Sequence, residues 1–184
     1  MAKGRVILSP KRFNITLKRL AHQLIENYDN FENTCFIGIQ EKGVTLSEHL
    51  IEVINKEQKK NLLEFGKLDI SFYRDDYRVR EKPIKVSPTD IDFSLEDRKV
   101  VLIDDVLYSG RTIQAALSAI QDFGRPASVD VLVMVDRRFN RNLPIQPNYF
   151  GVVVDALDEA YVKVKWNENS DNHKVFIYSA DQKE

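Results

Sequence analysis

A single cysteine, Cys35, is all the sequence offers, so no disulfide can close within the chain. It sits in the apolar run Cys35-Phe36-Ile37-Gly38-Ile39, where a buried, inert thiol is expected rather than a nucleophile. The three histidines, His22, His49 and His173, are far apart in sequence, and no Cys/His group has zinc-binding spacing. An excess of either charge is also lacking, since 27 Lys and Arg face 28 Asp and Glu. Net charge therefore gives no support to general nucleic-acid binding, which draws on a basic surface, and DNA is not an expected partner. A local basic face stays open. No long apolar stretch follows Lys3 and Arg5, so neither a signal peptide nor a membrane span is expected, and a cytoplasmic location is. Internal repeats and domain linkers are missing, and the 184 residues read as one domain, 1–184, long enough for a substantial core.

What is present is an alternation of strand-like and helix-like segments. Arg5 to Ser9 reads as a short strand, and Ser9-Pro10 as a helix start with Ser at the cap and Pro in the first position. Phe13, Leu17, Leu20 and Leu24 then recur on one helical face. Asn33 to Gln40 reads as a buried strand, and Gly43 opens a second helix with Leu46, Leu50 and Ile54 inward. Lys67 to Tyr73 alternates as a strand would. Lys99 to Ile103 has the unbroken apolar character of a central parallel strand. Ile113, Leu117 and Ile120 mark a helix that Gly124 ends. Later strands are expected at Ser128 to Val135, Tyr149 to Val154, Tyr161 to Trp166 and Val175 to Tyr178. The pattern predicts an α/β fold with a mainly parallel central sheet flanked by helices. Between Arg74 and Asp97 the chain is charged, carries Pro83 and Pro88, and is long for a plain connection. A flexible lid over about 74–93 is expected there, with a two-stranded excursion as the alternative.

The segment Val100-Val101-Leu102-Ile103-Asp104-Asp105-Val106-Leu107-Tyr108-Ser109-Gly110-Arg111-Thr112 carries the chemistry. It runs from an apolar strand through two acids and a Ser-Gly-Arg-Thr loop into a helix. Ligands of open α/β sheets bind at the carboxyl ends of strands. A loop entering a helix turns unpaired N–H groups toward an anion. Ser109 and Thr112 add hydroxyl donors, and Gly110 lets the backbone come close. Asp104 and Asp105 would repel a phosphate but suit neutral ribose hydroxyls beside it. Helix capping accounts for one of the acids but not for both, nor for the residues that follow.

This segment resembles the phosphoribosyl-pyrophosphate (PRPP) loop of type I phosphoribosyltransferases. More closely, the chain resembles the bifunctional pyrimidine-operon attenuator and uracil phosphoribosyltransferase family. Matching stretches include Thr16 to His22, Phe36 to Ile39, Leu68 to Asp76, Asp104 to Thr112, Gly124 to Ala127, Val135 to Arg137 and Leu143 to Ile145. The resemblance implies a type I phosphoribosyltransferase fold with a small hood built from the late strands and chain ends. It implies that Asp104 and Asp105 bind the ribose hydroxyls, and that Val106, Leu107, Tyr108, Ser109, Gly110, Arg111 and Thr112 hold the 5′-phosphate. Gln40, Glu41, Lys42 and Gly43 take the place of the pyrophosphate loop, and Arg74 begins the closing lid. Asp136 and Arg137 would lie near pyrophosphate, its magnesium and the base, with Asp136 the candidate metal ligand. The implied reaction is uracil plus PRPP giving UMP and pyrophosphate, in pyrimidine salvage. Magnesium is the implied cofactor, UMP and UTP are implied ligands, and a homo-oligomer, dimer or tetramer, is implied. Arg19 and His22 match the family's RNA-binding face, and Lys18 and Lys11 add charge to it.

Two departures from the family pattern matter. Its pyrophosphate loop usually reads Lys-Thr-Arg-Gly, whereas this chain has Gln40-Glu41-Lys42-Gly43, with one cation and an added acid. Lysine cannot clamp pyrophosphate in the bidentate way of arginine. The family's later RNA-contacting stretch, Gly-Lys-Asn-Val-Pro-Thr-Ser, reads Gly151 to Leu157 without the lysine or threonine, and Asp155, Asp158 and Glu159 add negative charge. Gln146 stands where an arginine is common. Three readings follow: a uracil phosphoribosyltransferase, a nucleotide-sensing RNA-binding attenuator with weak or no catalysis, and a transferase for another base. The altered loop weakens catalysis and the altered later stretch weakens RNA binding.

Overall fold

The structure is a computed structural model that describes residues 4–59, 63–75, 86–139, 141–156, 160–167 and 172–179. Its elements are β1 (Arg5–Leu8), α1 (Pro10–Tyr28), β2 (Thr34–Ile39), α2 (Lys42–Gln58), β3 (Glu64–Leu68), β4 (Lys99–Leu107), α3 (Arg111–Ala119) with a 3-10 turn at Ile120–Phe123, β5 (Ser128–Arg137), β6 (Tyr149–Val154), β7 (Tyr161–Lys165) and β8 (Lys174–Tyr178). Five strands form a parallel sheet in the order β3-β2-β4-β5-β6. The other three, β1-β8-β7, form a small antiparallel sheet, the expected hood.

Side-chain alternation along the strands supplies both faces of the main sheet. Phe36, Val101, Ile103, Leu132 and Met134 pack under α1, α2 and the hood, with Phe13, Leu20, Leu24, Leu46 and Leu50. Cys35, Ile37, Val100, Leu102, Val131 and Val133 pack under α3, with Ile113, Ala115, Ala116 and Ala119. This double coverage explains the unbroken apolar run in β4, and each large buried aliphatic contributes about 1.5–3 kcal/mol. Cys35 is fully buried, and burial pushes its thiol up to about 11, consistent with an inert core residue.

The helix starts match the sequence. Ser9 takes an extended backbone at the cap of α1 and Pro10 is its first residue, though the Ser9 hydroxyl makes no capping bond. Its carbonyl accepts the Phe13 N–H at 2.8 Å. The strand expected at Lys67 to Tyr73 is displaced: β3 ends at Leu68. Asp69 stops it, because its Oδ1 accepts the Ser71 N–H at 2.7 Å, a local side-chain turn that competes with the ladder. Its Oδ2 accepts the Ser87 N–H at 2.7 Å, and Lys67 and Asp90 exchange backbone hydrogen bonds of 2.7 and 2.8 Å. The two ends of the long connection are thus stapled together. About half of the expected lid, residues 76–85, lies outside the described residues.

Gly124-Arg125-Pro126-Ala127, one of the resembling stretches, is a seam. Its backbone pairs with Leu95 to Arg98: Asp97 N–H donates to the Arg125 carbonyl and Ala127 N–H to the Arg98 carbonyl, both at 2.9 Å. The hood is fastened to the core by aromatic rings. Phe13 meets Trp166 edge-on with centroids 5.5 Å apart, and His49 stacks on Trp166 at 5.6 Å. His49 and His173, distant in sequence, join through their Nε2 atoms at 3.1 Å.

Candidate phosphoribosyl site

Strand order places the site. From β2 the chain crosses through α2 outward to β3, and from β4 through α3 the other way to β5, so α2 and α3 cover opposite faces. The carboxyl ends of neighbouring β2 and β4 therefore open a crevice, where such sheets bind ligands. The loops around residues 40–43 and 108–112 sit at this point. Gly43, in the first turn of α2, is there because a Cβ would lie 2.3 Å from the Ile103 carbonyl oxygen. Any side chain would push the helix away from β4.

Both acids lie inside β4 rather than beyond it. Asp104 is 9% exposed and Asp105 7%. Lys42 Nζ approaches Asp105 Oδ2 at 3.3 Å, so an ammonium charge faces this buried carboxylate. Burial, then the neighbouring Asp105 charge, pushes Asp104 up to about 8; the Asp105 N–H on its Oδ1 at 2.8 Å and the charges of Lys42 and Arg74 pull the other way. Burial also raises Asp105, opposed chiefly by Lys42. The crevice thus holds two buried carboxyls whose charged forms hydrogen-bond donors would stabilise.

After β4, Tyr108 and Ser109 lead to Gly110, which caps α3 with φ +92°, a conformation that favours glycine. Its conformation, rather than close approach alone, accounts for its presence. In the first turn of α3 the Arg111 N–H donates to Ser109 Oγ at 3.4 Å, and the N–H groups after it have no helical partners, as an anion site requires. Arg111 pairs with Asp75, while Tyr73 hydrogen-bonds Asp122, so the start of the long connection is anchored on α3 and the 3-10 turn after it.

β5 likewise runs through Asp136 and Arg137, two residues beyond its expected end. Both are buried. The Arg137 guanidinium lies 3.9 Å from the Tyr108 ring centroid, and Arg141 pairs with Asp136. Arg141 and its pairing escaped sequence reading, because a loop contact five residues away leaves no periodic signal. Gln40 donates from Nε2 to the Pro88 carbonyl at 3.0 Å, and the peptide joining Gln40 to Glu41 is cis. Glu41 and Lys42 are exposed.

Lys18, Arg19 and His22 lie apart, exposed on α1: Arg19 meets edge strand β6, two strands from β4, while Lys18 lines a groove with His49 and Glu52 of α2. Arg19 donates to the Phe150 and Gly151 carbonyls at 3.1 and 2.6 Å, covering part of that edge. Asp155 pairs with Arg138 through bonds of 3.1 and 3.2 Å, while residues 157–159 lie outside the described residues. Among the described residues no helix is long and apolar enough to cross a membrane, and no group of three or more His, Cys, Asp or Glu could hold a metal.

Residues 6–169 match the family model described as a phosphoribosyl transferase domain. The bifunctional protein PyrR of Caldicellulosiruptor bescii is 37% identical over 182 residues, covering 99% of both chains. That of Desulfosudis oleivorans is 38% identical over 178 residues, covering 96% of this chain and 97% of its own. The chain belongs to the PyrR family of phosphoribosyl transferases. A solved hypoxanthine phosphoribosyltransferase of Trypanosoma cruzi has the same fold, with TM-score 0.71 at 14% identity over 97% of each chain. One from Staphylococcus aureus gives 0.67 at 20% identity, over 95% of this chain and 91% of that one. The parallel sheet with its hood is therefore the type I phosphoribosyltransferase fold, and the PyrR relatives span the whole of it.

Proposed function

We propose that the protein is a uracil phosphoribosyltransferase, forming UMP and pyrophosphate from uracil and PRPP in pyrimidine salvage. The observation that carries this reading is the buried pair Asp104 and Asp105, set directly before the loop that opens α3. The pair suits the 2′ and 3′ hydroxyls of a ribose, and the loop from Val106 to Thr112 suits its 5′-phosphate. Pyrophosphate then falls toward Lys42 and Arg74, and the base toward Arg137 and the exposed Tyr108 ring. Uracil itself comes from the family resemblance.

As the C1–O bond breaks, positive charge grows on the ribose, and the carboxylates beneath it stabilise that charge. Lys42 and Arg74 offset charge on the leaving pyrophosphate. Positioning supplies most of the remaining acceleration. Magnesium fits as an ion carried in by PRPP, which would add Lewis-acid stabilisation of the leaving group. Asp136 is paired with Arg141 and Asp105 with Lys42, so an ion held by either would compete with a resident cation.

The second reading is a nucleotide-sensing RNA-binding attenuator acting as a homo-oligomer. The basic exposed face of α1 and the "bifunctional" name of the relatives support it. Arg19 is partly engaged by β6, and the altered Gly151 to Leu157 stretch weighs against it. Uracil-dependent release of pyrophosphate from PRPP, followed with a coupled pyrophosphatase, tests the first reading. It is expected to require magnesium and to vanish in the Asp104→Asn, Asp105→Asn double variant. Release that ignores uracil would overturn it.

A further inference from the structure

The stretch Leu143 to Ile145, singled out by its resemblance, has no role in the reading above, and neither does Arg141. We infer that Arg141 is a positioning residue that, with the segment after it, aims the N–H groups of the phosphate loop. The inference rests on the reading that this loop holds a 5′-phosphate.

A trans peptide points its carbonyl and the following N–H in opposite directions. Clamping one carbonyl therefore fixes where the next N–H points. Arg141 Nη1 donates to the Tyr108 carbonyl at 2.6 Å, which turns the Ser109 N–H to the other side. The Asn142 and Leu143 N–H groups donate to the Ser109 carbonyl at 3.0 and 3.2 Å, which turns the Gly110 N–H the same way. Two successive N–H groups then face away from the 141–143 segment, next to the open first turn of α3. Successive N–H groups on one side form an anion-binding concavity. The two carbonyls, whose dipoles would repel a phosphate, are held on the far side.

The rest of the segment supports this arrangement. A Cβ built on Gly110 would come within 3.2 Å of Leu143 Cβ and 3.5 Å of Ile145 Cδ1, so those side chains form the wall behind the loop. Arg141 is only 16% exposed, and Asp136, 9% exposed, supplies its counter-charge. Arg137 over the Tyr108 ring adds a second link between β5 and the loop. A bidentate donor is needed, because one guanidinium nitrogen serves Asp136 and the other the Tyr108 carbonyl. Lysine would keep the charge beside Asp136 but not both contacts.

The test is calorimetry of UMP and of uridine, which lacks the phosphate, with wild type, Arg141→Gln and Arg141→Lys. UMP affinity is expected to fall about tenfold or more in Arg141→Gln, the size of one lost charge-assisted hydrogen bond. A smaller fall is expected in Arg141→Lys, with uridine affinity unchanged in both. The KM for PRPP should rise alongside. If Arg141→Gln does not fold, Arg141→Lys alone decides. Unchanged UMP affinity, or equal losses for UMP and uridine, would overturn the inference. Wild type that binds neither UMP nor PRPP would instead overturn the underlying reading, and this inference with it.

Discussion

The two loops flanking the acid pair are built to different standards. The loop after β4 is braced from behind by Arg141, Asn142 and Leu143, and its one unusual backbone angle is assigned to Gly110. The loop after β2 carries a single cation, Lys42, which is already drawn to Asp105, beside an exposed Glu41. On the proposed reading, ribose-phosphate recognition rests on a fixed scaffold, while the loop after β2 brings to pyrophosphate one lysine with two claims on it, beside Arg74. A nucleotide monophosphate needs only the first loop, whereas transfer from PRPP needs both.

The largest effect should come from removing what both loops share. Asp104→Asn with Asp105→Asn should weaken UMP binding by about a hundredfold or more, from two or more lost hydrogen bonds to charged groups. Unchanged far-UV circular dichroism would show that the fold is kept, and UMP binding within a few-fold of wild type would remove the basis of the comparison.

Next come the glycines that fix each loop. Gly43→Ala should cost about 1–3 kcal/mol in urea unfolding, because its Cβ would meet the Ile103 carbonyl at 2.3 Å, and should raise the KM for PRPP. Gly110→Ala should cost about 1 kcal/mol, from its φ of +92°, and should weaken UMP binding as well. Equal effects of both variants on UMP would blur the distinction between the loops.

The acid pair also makes stability depend on pH. The folded state holds the Asp104 proton far more tightly than an unfolded chain, up to about 8. Its contribution to unliganded stability is full below the unfolded carboxyl value and is lost as pH rises to the folded one. Unliganded wild type should therefore lose stability between about pH 4 and pH 8 relative to Asp104→Asn, and thermal melts across that range check it. UMP should weaken as pH falls below 8, because ribose hydroxyls donate best to the charged form.

A smaller change should follow from repairing the weaker loop. Glu41→Arg should lower the KM for PRPP by about two- to fivefold, the scale of an exposed ion pair, with the gain shrinking at high salt. UMP affinity should not move. Smallest of all, Lys18→Ala with His22→Ala, on the exposed face of α1, should change transfer by less than about twofold, as surface changes usually do.

Much of this was legible in the sequence because it rests on local patterns. The apolar run before Asp104 marked the central strand, Ser9-Pro10 marked a helix start, and the Ser-Gly-Arg-Thr sequel marked the loop. Long-range pairings were not legible. Lys42 meeting Asp105, Arg141 meeting Asp136 and the Tyr108 carbonyl, and Arg19 covering the edge of β6 all join residues through the fold, where no spacing rule applies. The end of β3 was misplaced because alternation continues past Leu68, while Asp69 diverts its backbone into a side-chain turn. β4 and β5 run past their expected ends because buried charged residues, Asp104 and Asp105 in one and Asp136 and Arg137 in the other, continue them, and hydrophobicity does not register those.

The most direct measurement is conversion of radiolabelled uracil to UMP with PRPP and magnesium, beside parallel reactions with hypoxanthine, guanine and orotate. Product from uracil alone is the result expected. Product from another base instead would contradict the assignment of uracil. No product from any base, with UMP still bound by calorimetry, would contradict the enzymatic reading and put the nucleotide-sensing attenuator in its place.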